Sequence, residues 1–255
     1  MDRLPALMQD YGLTVDRFLD HGAKWHGRAR VVTAGEGGND TTTGYADVRE
    51  RANRLSGALL SLGMKPGDRI APLAWNTRHH VEVWYAAMGV GVACHTLNPR
   101  LHPDQVTWIV NHAEDQVLCF DMTFLPLVQA VHAKCPTVRQ WVALCDADKL
   151  PADSGIPGLV SYETWIGGQS ANYRWPQLDE NTASSMCYTS GTTGNPKAAL
   201  YSHRSSTLHA YAAALPDVMG LSARDCVLPV VPMFHVNAWG LPYSAPLTGC
   251  KLVFP

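Results

Sequence analysis

Apolar and polar positions alternate with two different periods along the first 150 residues. The clearest helical stripe contains five apolar residues spaced by four, three, four and three positions: Val48, Ala52, Leu55, Leu59 and Leu62. This spacing predicts a helix with one apolar face, which ends at Gly63. Further helices are predicted over residues 79 to 90, 103 to 113 and 125 to 133, and short apolar strands over residues 70 to 74, 92 to 96, 117 to 120 and 141 to 145. The alternation predicts an α/β fold, in which mostly parallel sheets are covered by helices.

A polar stretch over residues 146 to 179 interrupts this pattern. It contains prolines and glycines that are typical of loops, among them Pro151, Pro157, Gly167 and Gly168. We therefore expect a first subdomain over residues 1 to 150, a linker over residues 151 to 180 and the start of a second subdomain over residues 181 to 255. Residues 252 to 254 predict an inner strand. Because a domain rarely ends on such a strand, the sequence predicts a fold truncated on its C-terminal side.

Residues 188 to 197, with the sequence Tyr-Thr-Ser-Gly-Thr-Thr-Gly-Asn-Pro-Lys, have the composition of a phosphate-binding loop. Gly191 and Gly194 lack a Cβ atom, so the backbone can turn tightly and direct its N–H groups at an anion. The Ser and Thr hydroxyls of the loop add hydrogen-bond donors, and Lys197 adds a mobile positive charge. Residues 199 to 202 predict a returning strand, so we expect the loop at the tip of a hairpin.

A Gly/Ser/Thr-rich loop of this kind has two other interpretations. The P-loop of nucleoside triphosphatases requires G-x-x-x-x-G-K-[ST] before a helix. Here only two residues separate the glycines, Lys197 follows Gly194 by three positions, and Ala198 stands where a hydroxyl is needed. An ordinary Gly/Ser/Thr surface turn is the second interpretation. The length and order of the motif favour phosphate binding over both.

The phosphate loop, followed by Tyr-Ser-His-Arg-Ser at residues 201 to 205, resembles the signature of the ATP-dependent adenylate-forming superfamily, and within it the acyl-CoA synthetases. Residues 231 to 242 resemble the segment that lines the acyl entrance in fatty-acyl-CoA ligases. Residues 75 to 77 and 96 to 101 match the medium- and long-chain branch, which is similar to methylmercaptopropionate-CoA ligases. The resemblance extends along nearly the whole chain.

The resemblance implies a ligase that joins a carboxylic acid, here a fatty acid, to coenzyme A. ATP first converts the acid to an acyl-adenylate, with Mg²⁺ bridging the phosphates, and the CoA thiol then displaces AMP. A homodimer is also compatible with it. The family's ribose-binding aspartate, acidic Mg²⁺ ligand and C-terminal lid domain with its catalytic lysine would all follow Pro255. The 255 residues alone are therefore expected not to synthesise acyl-CoA.

The same resemblance assigns roles to individual residues. It implies a nucleotide-binding set that consists of Thr189, Ser190, Gly191, Thr192, Thr193, Gly194 and Lys197. Thr189 would also lie near the metal ion. His235, which with Lys197 forms the predicted catalytic pair, would lie between the acyl carboxylate and the adenylate. Trp239 would gate the acyl tunnel beside Gly240. Without the motif around them, a core histidine and a core tryptophan are the alternatives.

One departure from the family pattern follows the loop. The family usually has Gly and an aliphatic residue after the lysine, whereas this chain has Ala198 and Ala199. If position 198 requires a positive φ, alanine is unfavourable by about 1 kcal/mol; if it is an extended strand residue, the change has little effect. The sequence alone leaves both possibilities open.

Composition agrees with an enzyme of the cytoplasm. The chain is 46% hydrophobic, with a net charge of -2, which argues against nucleic acid or an anionic membrane as the main partner. Its seven cysteines form no C-x-x-C pair, as expected for a reducing compartment. No signal peptide or transmembrane stretch is predicted. Two other functions stay open: a different adenylate-forming enzyme, such as an acyl-AMP ligase or a luciferase-like oxygenase, and a non-catalytic nucleotide- or acyl-binding protein.

Overall fold

The computed structural model of the chain describes residues 11 to 35, 39 to 189 and 195 to 255. Its strands are β1 (Arg30–Thr33), β2 (Thr41–Gly44), β3 (Arg69–Leu73), β4 (Ala93–Thr96), β5 (Val117–Phe120), β6 (Gln140–Ala143), β7 (Val160–Ser161), β8 (Ala183–Thr189), β9 (Lys197–Ser202), β10 (Cys226–Val227) and β11 (Lys251–Phe254). Its helices are α1 (Asp16–Trp25), α2 (Tyr45–Ser61), α3 (Arg78–Gly89), α4 (Pro103–Ala113), α5 (Leu125–Val131), α6 (Tyr162–Gly167), α7 (His203–Ala214) and α8 (Leu241–Thr248).

The larger of two sheets contains seven strands in the order β7-β6-β5-β3-β4-β8-β9. All neighbouring strands are parallel except β8 and β9, which form an antiparallel hairpin. The residues of β4 and β5 are all buried, as expected for short apolar strands covered by helices on both faces. The predicted α/β fold with mostly parallel sheets is confirmed.

The smaller sheet joins the two ends of the described chain. Its order is β10-β11-β1-β2, in which β11 pairs in parallel with both β10 and β1. Strand β11 therefore is an inner strand, as its apolar residues predict. The strand pairing crosses the expected subdomains, because β1 and β2 come from the first and β10 and β11 from the second.

The stretch expected to be a linker is packed on the larger sheet. It contains β7, which forms the edge of that sheet, and α6. Trp175 is buried, and its indole N–H donates to the Ser56 hydroxyl of α2 over 2.9 Å. The apolar side chains of residues 151 to 180 therefore hold this stretch against the helical layer. The expected boundary at residues 151 to 180 does not coincide with a boundary between sheets, and the division into subdomains stays a prediction.

Helix α3 connects the sheet to the region that carries the predicted site. It is almost entirely buried and contacts α1, α2 and the strands beside it. The Trp84 ring stacks on the Tyr243 ring of α8, with 5.2 Å between centroids. The Tyr85 hydroxyl donates to the Pro242 carbonyl over 2.7 Å. These contacts fix the start of α8, where the predicted acyl-entrance segment ends.

Candidate functional site

The hairpin of β8 and β9 forms the base of the predicted phosphate loop. Thr189 at the end of β8 pairs with Lys197 at the start of β9, which confirms the predicted hairpin. Both residues are exposed, and the Thr189 hydroxyl donates to the Lys197 carbonyl oxygen over 3.4 Å. The other five predicted nucleotide-binding residues, Ser190, Gly191, Thr192, Thr193 and Gly194, lie outside the described residues.

The alanine that replaces the family's glycine lies in an extended strand. Ala198 pairs with Tyr188 across the hairpin, and its φ is not among the positive values of the backbone. Its side chain is exposed. Since the backbone at position 198 does not require glycine, the extended-strand interpretation applies, and the substitution has little effect on the hairpin.

Tyr188, the residue before Thr189, is anchored by groups that the sequence did not indicate. Its phenolic oxygen lies 2.6 Å from Nδ1 of His112, and its ring lies 5.0 Å from the ring of His95. His95 is fully buried, with Nδ1 2.8 Å from the Asp115 carboxylate. Burial raises the pKa of Asp115, and the neighbouring His95 opposes that rise. The hydrogen-bonded pair of His112 and Tyr188 is 76 positions apart, and His95 lies still further from Tyr188 in the sequence, so no local pattern could have revealed these contacts.

Asn76 holds the start of the predicted acyl-entrance segment. Its side-chain amide donates to the carbonyl oxygens of Pro229 and Val231, over 3.0 and 3.1 Å. In return, the Met233 backbone N–H donates to the Asn76 carbonyl oxygen over 2.6 Å. Three hydrogen bonds from one side chain thus fix this segment beside the end of β3. Two of the stretches that carry the family resemblance are thereby brought together.

Aromatic rings pack together next to the hydrogen bonds of Asn76. The Trp75 ring lies 4.9 Å from that of Phe124 and 6.4 Å from that of Phe234. His235, which follows, is exposed, and its backbone N–H donates to the Pro232 carbonyl over 3.0 Å. Within the described part of the chain, His235 is therefore not a core histidine.

The Asp121 carboxylate holds the backbone of Trp75 in place. The Trp75 backbone N–H donates to Oδ2 of Asp121 over 2.6 Å, at the ends of β3 and β5. Burial of the carboxyl group raises its pKa to about 6, although the hydrogen bond from Trp75 opposes the rise. The folded chain therefore binds this proton more tightly than the unfolded chain does. The contribution of Asp121 to stability is full below its unfolded pKa and is lost as the pH rises through about 6.

Replacing Asp121 with asparagine should remove this pH dependence. The amide oxygen can still accept the Trp75 N–H, and it carries no charge to bury. At pH 7.5 we expect Asp121→Asn to be more stable than the unsubstituted chain by about 1 to 2 kcal/mol, with the gain disappearing near pH 4. Urea unfolding at the two pH values measures this, with Asp148→Asn in an exposed turn as the matched control. An equal difference at both pH values would contradict the assignment.

The segment from Val236 to Gly240 forms a left-handed turn. Its five φ values are 42, 52, 48, 55 and 72°. A left-handed conformation is unfavourable by about 1 to 2 kcal/mol for each residue other than glycine. Asn237 and Ala238 point inward and are buried, whereas the Trp239 side chain is 57% exposed. Within the described part of the chain, Trp239 is therefore not a core tryptophan.

A cavity of about 360 Å³ lies beside this turn, with walls that include Tyr201, Ser205, His209, Trp239, Gly240 and Tyr243. Two observations favour glycine at position 240. Its φ is positive, and a Cβ atom would lie 2.7 Å from Nδ1 of His209. The predicted residues Trp239 and Gly240 thus share one cavity wall. A groove of about 460 Å³ along α1 contains none of the predicted site residues.

The sequence comparison then identifies the family. The model of the AMP-binding enzyme family matches residues 18 to 255. The chain belongs to the AMP-binding enzyme family. The chain is 50% identical, over 243 residues, to a medium-chain fatty acid CoA ligase of Ectopseudomonas oleovorans. It is 48% identical, over 248 residues, to a 3-methylmercaptopropionyl-CoA ligase of Ruegeria lacuscaerulensis.

The chain spans slightly less than half the length of these relatives. The matches cover 95% and 97% of the chain, but 44% and 46% of the two ligases. Among solved structures, the inhibitor-bound N-terminal domain of FACL13 from Mycobacterium tuberculosis is 25% identical, with a TM-score of 0.81 over 95% of the chain and 57% of that domain. The anthranilate CoA ligase AuaEII, solved with anthranoyl-AMP, has the same fold, with a TM-score of 0.83 over 96% of the chain and 45% of that protein at 21% identity.

No group of three or more His, Cys, Asp or Glu side chains in the three described ranges could hold a metal ion. None of the helices that the structure describes is both long and apolar enough to span a membrane.

Proposed function

We propose that this AMP-binding enzyme acts in the ATP-dependent ligation of a fatty acid to coenzyme A, through an acyl-adenylate. The observation that carries the proposal is that the hairpin with the predicted phosphate loop and the left-handed turn of the predicted acyl entrance are both attached to strand β8. Ser185, Cys187 and Thr189 lie on the same face of β8, because side chains two residues apart share a face. Ser185 and Cys187 contact Asn237 of the left-handed turn. Thr189 follows one strand repeat later, about 7 Å further along.

This arrangement supports a reaction between a nucleotide and an acid. Phosphates would bind at the hairpin end of β8, and a carboxylate would bind at His235, two residues before the Asn237 that is bonded to the same strand. In the proposed first step, a carboxylate oxygen attacks the α-phosphorus of ATP, a new P–O bond forms, and the bond to pyrophosphate breaks. The CoA thiol then attacks the acyl carbon and releases AMP. The two relatives described above, which are CoA ligases for a medium-chain fatty acid and for 3-methylmercaptopropionate, support the same class of substrate.

The residues of this chain would act electrostatically in the first step. Lys197 is a mobile, exposed cation that can follow charge on the phosphates. His235 would orient the carboxylate and donate a hydrogen bond to an oxygen that gains charge. Mg²⁺, when bound, would neutralise phosphate oxygens. The exposed Thr189 hydroxyl is a hard oxygen donor of the kind Mg²⁺ prefers, so it fits as one ligand, with phosphates and water as the others.

The cavity beside the left-handed turn is proposed to receive the alkyl chain of the acid. Its walls contain Tyr201, Trp239 and Tyr243, and apolar walls with few polar groups suit a fatty acid. Trp239 would cover the mouth of the cavity. The cytoplasmic location and a homodimer stay predictions.

Trp239→Ala should change the preference for chain length. Because the indole also lines the cavity that a long alkyl chain would fill, we expect KM for decanoate to rise about tenfold and KM for acetate to change less than twofold. Steady-state kinetics over acids of two to sixteen carbons measure the profile. Trp25→Ala, which removes an exposed tryptophan at the end of α1, is the control. A uniform change over all acids would indicate plain packing.

The proposal is tested by ATP–pyrophosphate exchange. The protein is expressed from its complete reading frame and incubated with ATP, labelled pyrophosphate and a panel of carboxylic acids. Acid-dependent exchange, followed by thioester formation when CoA is added, is the expected result. Exchange without a thioester would favour a different adenylate-forming enzyme, and the absence of exchange would overturn the proposal.

A further inference from the structure

The left-handed turn needs support from outside its own backbone. Val236 is β-branched and Trp239 is bulky, and both residue types disfavour a positive φ. The backbone hydrogen bonds of the turn run from Ala238 N–H to the His235 carbonyl, over 3.1 Å, and from Leu241 N–H to the Ala238 carbonyl. Two such hydrogen bonds only weakly offset the free-energy cost of a positive φ at four residues other than glycine. The conformation therefore depends on side-chain contacts.

Asn237 makes those contacts. Asparagine is one of the few residues that tolerate the left-handed region. Its side chain is buried, and its amide N–H donates to the Ser185 hydroxyl over 2.9 Å. The Cys187 thiol donates to the Asn237 carbonyl oxygen, with 3.4 Å between sulfur and oxygen. Both ends of the amide are thus bonded to one face of β8.

The Cys187 thiol is suited to its role as a donor. Burial raises its pKa, so the thiol keeps its proton at neutral pH. Its sulfur also lies 3.2 Å from the hydroxyl oxygen of Thr96 on the adjacent strand β4. The anchor of Asn237 is therefore connected to the interior of the larger sheet, which makes it rigid.

We propose that Asn237 is a positioning residue for acyl specificity. By fixing the left-handed turn on β8, it holds Trp239 and Gly240 in the wall of the acyl cavity. Without it, Val236 and Trp239 return to a negative φ, and the indole leaves the cavity mouth. The inference rests on the proposed function, since it gives one residue the task of shaping the proposed acyl site.

The test compares two buried asparagines in the protein expressed from its complete reading frame. Asn237→Ala should raise KM for decanoate about tenfold, while KM for ATP and for acetate changes less than twofold. Asn53→Ala is the matched control: Asn53 is equally buried, and its amide donates to the Ala171 carbonyl over 2.5 Å, far from the cavity. A purely structural role would lower the amount of active enzyme with every acid alike. The ratio of the decanoate and acetate KM values would then stay unchanged, as in Asn53→Ala, and the inference would be overturned.

A second pair of variants covers the case in which Asn237→Ala does not fold. Ser185→Ala removes the acceptor of the Asn237 amide, and Asn237→Gly keeps a residue that adopts a positive φ freely. Both should raise the same KM ratio, and an unchanged ratio in both overturns the inference. If the unsubstituted protein shows no acid-dependent pyrophosphate exchange, the proposed function fails first. If it shows exchange and the variants keep its chain-length profile, only the role of Asn237 fails.

Discussion

Lys197→Ala should weaken the use of ATP about tenfold to a hundredfold, because a charge-assisted contact to a phosphate is worth about 1.5 to 3 kcal/mol. Lys197 is exposed at the start of β9, opposite Thr189, so its removal leaves no buried group unpaired. The fold should stay intact. The measurement is kcat/KM for ATP in the exchange assay, together with the thermal unfolding temperature.

Two comparisons make this prediction specific. Lys197→Met keeps most of the side-chain length and removes the charge, so it should lose as much activity as the alanine variant. Lys65→Ala removes another exposed lysine, in the turn before β3, and should behave like the unsubstituted protein. Unchanged ATP dependence in both Lys197 variants would contradict the assignment of the hairpin to phosphate binding.

His235→Ala should lower the rate of adenylate formation about a hundredfold to a thousandfold, the usual effect of removing one preorganised donor from a charge-developing transition state. His235 is exposed at the entrance to the left-handed turn, and its backbone is held by Pro232. The side chain can therefore be removed without disturbing the turn. We expect kcat to fall more than KM rises.

A variant that keeps a hydrogen-bond donor at position 235 distinguishes the loss of that donor from the loss of side-chain size. His235→Gln retains an N–H group on a side chain of similar reach, and should recover part of the lost rate. Pre-steady-state formation of the acyl-adenylate measures both variants. Equal rates for the alanine variant and the unsubstituted protein would remove His235 from the proposed mechanism.

The sequence predicts the regular part of the fold well, because that part depends on local patterns. The apolar stripe from Val48 to Leu62 corresponds to α2, and the short apolar runs correspond to β3, β4, β5 and β6. The hairpin of β8 and β9 follows from the glycines between two strand-like segments. Strands β1 and β2 were not predicted, because β2 consists of threonines and glycine and the strand that completes the sheet comes some 220 residues later.

The geometry of the site depends on contacts that no local pattern contains. The motif around His235 and Trp239 indicates a function, but Val236 and Trp239 by themselves disfavour a left-handed turn. The turn exists because Asn237 bonds to a strand 50 residues earlier in the chain. Asn76 likewise fixes a segment more than 150 residues away. Such pairings arise from the tertiary fold, which single-sequence reasoning does not reach.

The parallel pairing of β1 with β11 also determines the order in which the protein folds. Val31 pairs with Leu252, so the smaller sheet closes a loop of some 220 residues. Contacts between residues so far apart in sequence form slowly, since the conformational entropy of closing so long a loop is lost before the contacts stabilise the sheet. During synthesis, β1 and β2 leave the ribosome long before β11 exists. Until then, the edge of β1 has no partner and is open to pairing with other chains, so this half of the molecule is the part that most needs protection from aggregation while it is being made.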